Sequence, residues 1–264
     1  MSDILSEIVR RRRLDYASAS GLISISELIV RNSERVEFRS FRDSLLLRSV
    51  GVGEVAIIAE VKRGSPSNGL FASGLDPVSC AIDYESGGAA ALSVLTEGNY
   101  FGGNLNDLIV ARANCGLPVL RKDFIVTEYQ VYETSAYADC MLLIARLLDG
   151  QMLKSLYDLA AGLKLEVLVE VYDESDIEKI SAYNFPLIGI NNRNLSTMNI
   201  DINNSIKLAA CFDAGQMLVA ASGIHSRNDI ERVMSCGIKS FLIGESLSRN
   251  KNRIQFLRNL ATGK

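Results

Sequence analysis

The chain has 264 residues, of which 48% are hydrophobic and 22% charged, an ordinary globular composition that supplies a real core and excludes a disordered chain. A formal net charge of -3 excludes nucleic acid as the main partner, because backbone binding needs clustered positive charge, and leaves a small molecule as the better fit. At this length a single domain over 1–264 is expected, since α/β barrels of about 250 residues routinely form one.

Residues 1–48 read as an N-terminal helical extension, too poor in apolar residues to fold alone, with a helix expected over Leu5 to Leu14. Within it, Arg10, Arg11, Arg12 and Arg13 are preceded by Asp3 and Glu7 and followed by Asp15, which predicts a solvated, ion-paired helix face. The barrel is expected from about residue 54. Eight short runs rich in Val, Ile and Leu follow: Ala56 to Lys62, Ala90 to Leu95, Pro118 to Lys122, Cys140 to Ala145, Leu165 to Val171, Pro186 to Asn192, Met217 to Ala221 and Ser240 to Gly244. Helical patterns fill the gaps. Met152 to Leu163, for example, places Leu153, Leu156, Leu159 or Ala160, and Leu163 on one stripe.

Alternating strands and helices mean a parallel sheet. No G-x-G-x-x-G follows the first run, and polar residues end strands throughout, so an α/β fold closed as a (β/α)8 TIM barrel is expected rather than an open doubly wound sheet. Period-2 alternation then says which side chains face the axis. In the fifth run Leu165, Val167, Val169 and Val171 share the helix-covered face, so Glu166, Leu168 and Glu170 point inward. Glu170 falls at the C-terminal end, where barrel active sites are built; Glu166 falls at the other, where stability is the expected role. The same count turns Ile58, Glu60 and Lys62 inward, with Leu120 and Lys122, and Leu187, Gly189 and Asn191. Burying two lysines and two glutamates is costly unless each is paired, so their convergence on one mouth points to chemistry.

Barrels that take phosphorylated substrates commonly hold the phosphate in the loops after strands seven and eight. Here those loops carry Ser222 and Gly223, then Gly244 and Glu245, and both glycines let backbone N–H groups approach an anion. The segment Arg63 to Gly69, rich in turn formers, reads as a lid that would bring Ser65 near the phosphate.

Other chemistry is narrowed by what the chain lacks. It has one histidine, His225, so acid–base work falls mainly to Glu, Asp and Lys. The five cysteines (Cys80, Cys115, Cys140, Cys211, Cys236) are odd in number and widely spaced, which predicts reduced, buried thiols and no structural metal site. No run reaches the roughly 18 apolar residues of a membrane span and the first residues lack a signal-peptide core, so a cytoplasmic protein without membrane contact is expected.

Taken together, the motifs resemble those of indole-3-glycerol phosphate synthase, a tryptophan-pathway barrel. The similarity runs over nearly the whole chain. It is carried by Ile58 to Lys62 with Ser65-Pro66-Ser67, Leu92 to Glu97 with Tyr100-Phe101, Pro118 to Phe124 (PVLRKDF), Leu168 to Val171, Gly189 to Leu195, Ser222-Gly223-Ile224 and Phe241 to Glu245. The resemblance implies cofactor-free conversion of 1-(2-carboxyphenylamino)-1-deoxyribulose 5-phosphate to indole-3-glycerol phosphate, with loss of carbon dioxide and water; a monomer or weak homo-oligomer is expected. It implies Lys122 as the acid at the sugar carbonyl, and leaves Glu170, Lys62 and Glu60 as candidates for the acid and base of dehydration. Lys62 could instead hold an anionic end of the substrate. Asn191 is implied to hydrogen-bond the substrate, Arg193 to support it electrostatically, and Phe101 and Phe124 to line the pocket for the anthranilate ring.

This sequence departs from the family pattern at one important place. A glutamate counted among the family's catalytic and substrate-binding residues usually precedes Ser-Gly-Ile, and here that position is Ala221. A charged hydrogen bond is worth about 1.5 to 3 kcal/mol, or roughly ten- to a hundredfold in rate or binding. A diverged paralogue acting on a related phosphorylated substrate and a non-catalytic ligand-binding barrel are therefore the alternative readings. Lesser departures are Asn104, where serine is common, and Tyr172, where histidine often follows Val-Glu-Val.

Overall fold

The computed structural model describes residues 4–17, 23–51 and 53–263; Asp3, expected to flank the arginine run, lies outside the described residues. Eight parallel strands close on one another in the order of the chain: β1 (Ala56–Val61), β2 (Ala91–Leu95), β3 (Val119–Lys122), β4 (Cys140–Ile144), β5 (Glu166–Val171), β6 (Leu187–Asn191), β7 (Met217–Ala221) and β8 (Ser240–Ile243). The last returns to β1 with Ala56 opposite Ser240 and Ala59 opposite Ile243. This is the expected (β/α)8 barrel. Several strands are a residue or two shorter than their apolar runs, because Lys62, Ala145, Asn192 and Gly244 have already left the ladder for the loops.

The expected alternation divides the core in two. Ile57, Ala59, Val61, Val167, Val169 and Val171 pack outward beneath the helices, while Ile58, Leu120, Leu168, Leu187, Ala221 and Leu242 fill the interior. One such layer cannot be shifted by a residue without exchanging all its apolar and polar side chains, which fixes the register. The helical stripe predicted over 152–163 lies on a helix at Gly150–Gly162, with Leu153, Leu156 and Ala160 buried.

The first 48 residues contribute α1 (Ile4–Ala17), α2 (Ile25–Ser33) and α3 (Phe41–Arg48). Phe41 and Leu45 of α3 enter the interior cluster, and Ser44 donates to the carbonyl of Ala90, so α3 plugs the N-terminal mouth. Glu166 accepts from the Ser40 hydroxyl at 2.9 Å and the Arg42 amide at 2.8 Å. Its carboxylate fastens that plug, consistent with the expected role in stability.

At the opposite mouth α1 overturns one expectation. Arg10, Arg11 and Arg13 are exposed, but Arg12 is buried and pairs with Asp123, directly after Lys122. It follows Leu5 and Ile8 along the stripe that α1 buries. Helical geometry therefore overrides local charge pattern. Asp123 also accepts from Arg121 at 3.1 Å and Thr96 at 2.6 Å, and Arg121 continues to Glu133 at 2.8 Å. Burial opposes the charge of Asp123, but the two guanidinium groups outweigh it and hold the carboxyl below its ordinary range. Removing one partner of a buried pair costs about 3 kcal/mol or more. Arg12→Ala should lower the urea midpoint accordingly; an unchanged midpoint would show that Arg121 and Thr96 hold Asp123 unaided.

The cysteine expectation also needs correction. All five are free, yet only Cys80, Cys115 and Cys140 are buried; Cys211 is exposed and Cys236 partly so. Both lie in turns that follow helices, where side chains meet solvent.

Candidate active site

Four strand ends deliver the charged and amide groups. Glu60, on the inner face of β1 and almost wholly buried, lies between two ammonium groups: Lys62 Nζ is 3.9 Å from Oε1 and Lys122 Nζ is 3.4 Å from Oε2. Its place depends on the end of β8, since a Cβ at Gly244 would stand 2.2 Å from Glu60 Oε1. Any larger residue there would displace the carboxylate from its place between the two lysines. Glu170, buried on β5, accepts a hydrogen bond of 3.0 Å from the Asn191 amide at the end of β6, and Asn191 Oδ1 accepts from the Arg193 backbone at 2.9 Å.

The electrostatics separate these groups. Burial opposes the charge on Lys122, but the carboxylates of Glu60 and Glu170 outweigh it and hold its ammonium above the ordinary lysine range. Lys62 moves the other way, because burial dominates the attraction of Glu60. Burial also raises the carboxyl of Glu170, more than Lys122 and Asn191 lower it. The cluster therefore joins a persistent cation to a carboxyl that keeps its proton to higher pH, the pattern of groups tuned for proton transfer.

Two compartments meet at this cluster. One is an apolar chamber between Phe101 and Phe124, whose ring centroids are 6.0 Å apart, with Leu142, Ile144 and Ile8 among its walls. The other is a polar cradle formed by Ser222, Gly223 and Ile224 after β7 and by Gly244, Glu245 and Ser246 after β8. Lys62, Lys122, Arg193 and Ser222 border both. The Lys62 ammonium also lies 5.7 Å from the Phe101 ring centroid, a distance compatible with cation–π attraction.

The proposed phosphate residues Ser222, Gly223, Gly244 and Glu245 are thus brought together, whereas Ser65 is not among them. The lid segment forms a small turn in which Gly64–Ser65 pairs with Gly69–Leu70, and Ser65 borders the apolar chamber. The pairing turns its hydroxyl toward Ser67 at 3.3 Å. Arg63, at the start of that segment, is anchored to Asp107. Arg193 reaches over the turn to Ser67 at 3.4 Å, and Asn68 donates to Glu245 at 3.0 Å. With Arg249 also bonded to it at 3.0 Å, Glu245 is a tethered rim group and no substitute for the carboxylate missing at 221.

Ala221 faces inward with 4% exposure, opposite Asn191 on β6 and Leu242 on β8. Its methyl joins the interior apolar cluster. Asn104 and Tyr172 do other work: Asn104 caps a helix by accepting from Asp107 N at 3.0 Å, and the Tyr172 ring underlies the Arg146 guanidinium.

Glu97 has a function that its place in the sequence did not disclose. Its buried carboxylate accepts from the backbone N–H groups of Asn99, Tyr100 and Phe101 at 2.8 to 3.1 Å. It therefore shapes the turn that carries the Phe101 ring into the chamber. Only the order of a buried glutamate before an aromatic pair hinted at it. Ile8 was likewise unreadable as a wall, because it arrives from a helix outside the barrel.

The family model for indole-3-glycerol phosphate synthase matches residues 5–260. A protein from Desulfosudis oleivorans carrying that name is 47% identical over 264 residues, covering 99% of this chain and 100% of its own. Namesakes from Polaromonas naphthalenivorans and from a further Polaromonas strain are each 41% identical over 250 residues, covering 94% of this chain and 95% and 94% of their own. With the match extending from the chamber wall on α1 to the last turns of the chain, this protein belongs to the indole-3-glycerol phosphate synthase family.

Proposed function

We propose that this chain closes the pyrrole ring of 1-(2-carboxyphenylamino)-1-deoxyribulose 5-phosphate, releasing carbon dioxide and water to give indole-3-glycerol phosphate. The observation that carries this reading is the junction of compartments: an aromatic chamber and an anion cradle that share Lys62 and Lys122. A substrate with an aryl group at one end and a phosphate at the other places its sugar carbonyl between them.

Lys122 donates a proton to the carbonyl oxygen as the carboxylated ring carbon attacks, and departure of carbon dioxide restores aromaticity. Its raised pKa keeps that proton available. Glu170, oriented by Asn191, then protonates the departing hydroxyl, a task suited to a carboxyl raised by burial. Glu60 takes the final proton; its Oε2 has no hydrogen-bond donor among the described residues and faces Lys122. Lys62 attracts the substrate carboxylate as a point charge, and backbone N–H groups of the two glycine loops receive the phosphate. The chain works as one unit, with α3 plugging the N-terminal mouth of the barrel that begins near residue 54 and α1 lining the chamber at the other. Among the described residues no helix is long and apolar enough to cross a membrane. Identity throughout the chain gives no support to a diverged or non-catalytic barrel.

A continuous assay of indole-3-glycerol phosphate formation tests the reading. Purified protein should turn the substrate over, and Ala221→Glu should raise kcat/KM about tenfold by restoring a charged hydrogen bond. No product from the unaltered chain would reject the assignment.

A further inference from the structure

The buried side chain of Asn192 belongs to neither compartment, yet its contacts run toward the cradle. Its Nδ2 donates to the carbonyl of Ser222 at 3.0 Å, and its backbone N–H donates to the carbonyl of Ala221 at 2.8 Å. Its Oδ1 accepts from the backbone N–H of Ser205 at 3.0 Å and from that residue's hydroxyl at 2.7 Å. Both Asn192 and Ser205 are buried, with 1% and 0% exposure. One residue at the exit of β6 therefore grips two consecutive carbonyls at the exit of β7.

The grip bears on an unusual backbone. Ser222 has φ 70 and Gly223 φ 78. A serine adopts that left-handed conformation only where its surroundings hold it. In a planar trans peptide the carbonyl and the following N–H point in opposite directions. Fixing the Ser222 carbonyl toward Asn192 therefore turns the Gly223 N–H away from Asn192. Gly223 itself borders the cradle, and a side chain there would strike Ile200 Cγ2 at 2.5 Å.

We propose that Asn192 is a positioning residue for phosphate binding: it holds the 222–223 peptide so that the Gly223 N–H is presented to the anion. The proposal rests on the reading of the cradle as the phosphate site. Asn192 makes no contact with the substrate in this scheme; it acts through the Ser222 carbonyl.

Calorimetric titration with inorganic phosphate tests this without requiring turnover. Asn192→Ala should weaken phosphate binding about tenfold, the effect of losing one positioned donor to an anion. Binding of anthranilate, which has no phosphate, should stay within about twofold, and the loss with full substrate should fall on KM more than on kcat. In the unaltered protein the Gly223 amide proton should move downfield when phosphate is added, and this shift should vanish in Asn192→Ala. Asn192→Asp keeps the acceptor for Ser205 but loses the donor to Ser222, so its phosphate affinity should fall at least as far. If Asn192→Ala does not fold, Ser205→Ala supplies the test with an expected loss of about threefold. Unchanged phosphate affinity in the folded variants, or equal losses for phosphate and anthranilate, would overturn the proposal. Phosphate binding that depends on Asn192 in a protein without synthase activity would remove the proposed reaction and retain the positioning role.

Discussion

Lys122→Ala is expected to lower kcat by about 10³-fold while KM changes by less than about tenfold, since positioned general acids contribute roughly 10² to 10⁴. The structural reason is that its ammonium is 3.4 Å from Glu60 and is sustained by both Glu60 and Glu170. Removing it also takes away the cation that opposes the effect of burial on Glu170, so that carboxyl should hold its proton to still higher pH in the variant. Lys122→Arg should restore little activity, because a planar guanidinium does not occupy the place of a compact ammonium and gives up its proton far less readily. Steady-state kinetics of the three proteins decide the matter. Activity unaffected by Lys122→Ala would transfer the acid role to another group.

Glu170→Gln should lower kcat by about 10²-fold or more and remove one limb of its pH profile. In the unaltered protein the acid form of Glu170 persists above the ordinary glutamate range, because burial raises its pKa. Turnover should therefore decline as pH rises through that raised value, and the amide variant should show no such decline. Stability has the same sign. A carboxyl with a folded pKa above its unfolded value binds more protons in the native state, so its contribution is full below the unfolded pKa and is lost as pH rises through the folded one. Glutamine accepts the Asn191 hydrogen bond without carrying a buried charge. The variant should accordingly melt about 2 °C or more above the parent at pH 8, with little difference at pH 4. A variant that melts lower at pH 8 would show that ionised Glu170 is adequately paired by Lys122.

Much of this site was legible because a parallel strand alternates strictly. Counting by two turns Glu60, Lys62, Lys122, Glu170 and Asn191 to one side, and the structure joins them through the contacts of Glu60 with both lysines and of Glu170 with Asn191. In sequence Gly244 reads only as an opening for an anion, whereas the structure also packs it against Glu60, whose Oε1 would stand 2.2 Å from a Cβ there. Ser65 lines the apolar chamber in a segment that a two-residue pairing turns back upon itself.

Arg12, Glu97 and Asn192 mark the other limit. In sequence Arg12 is one of four equivalent arginines, and only docking of α1 distinguishes the member on its buried stripe. Glu97 organises a turn through backbone groups, to which any sequence contributes donors alike. Asn192 acts across a strand boundary on a carbonyl 30 residues later.

By itself, then, the sequence determined the alternation, the strand ends and the family motifs, since these depend on residue type and short-range period. Tertiary structure alone decided which cation is buried, which carboxylate lies between two lysines, and which carbonyl fixes the turn after β7. Those outcomes depend on distances between segments far apart in the chain, where burial and opposite charge, rather than local propensity, set the energy.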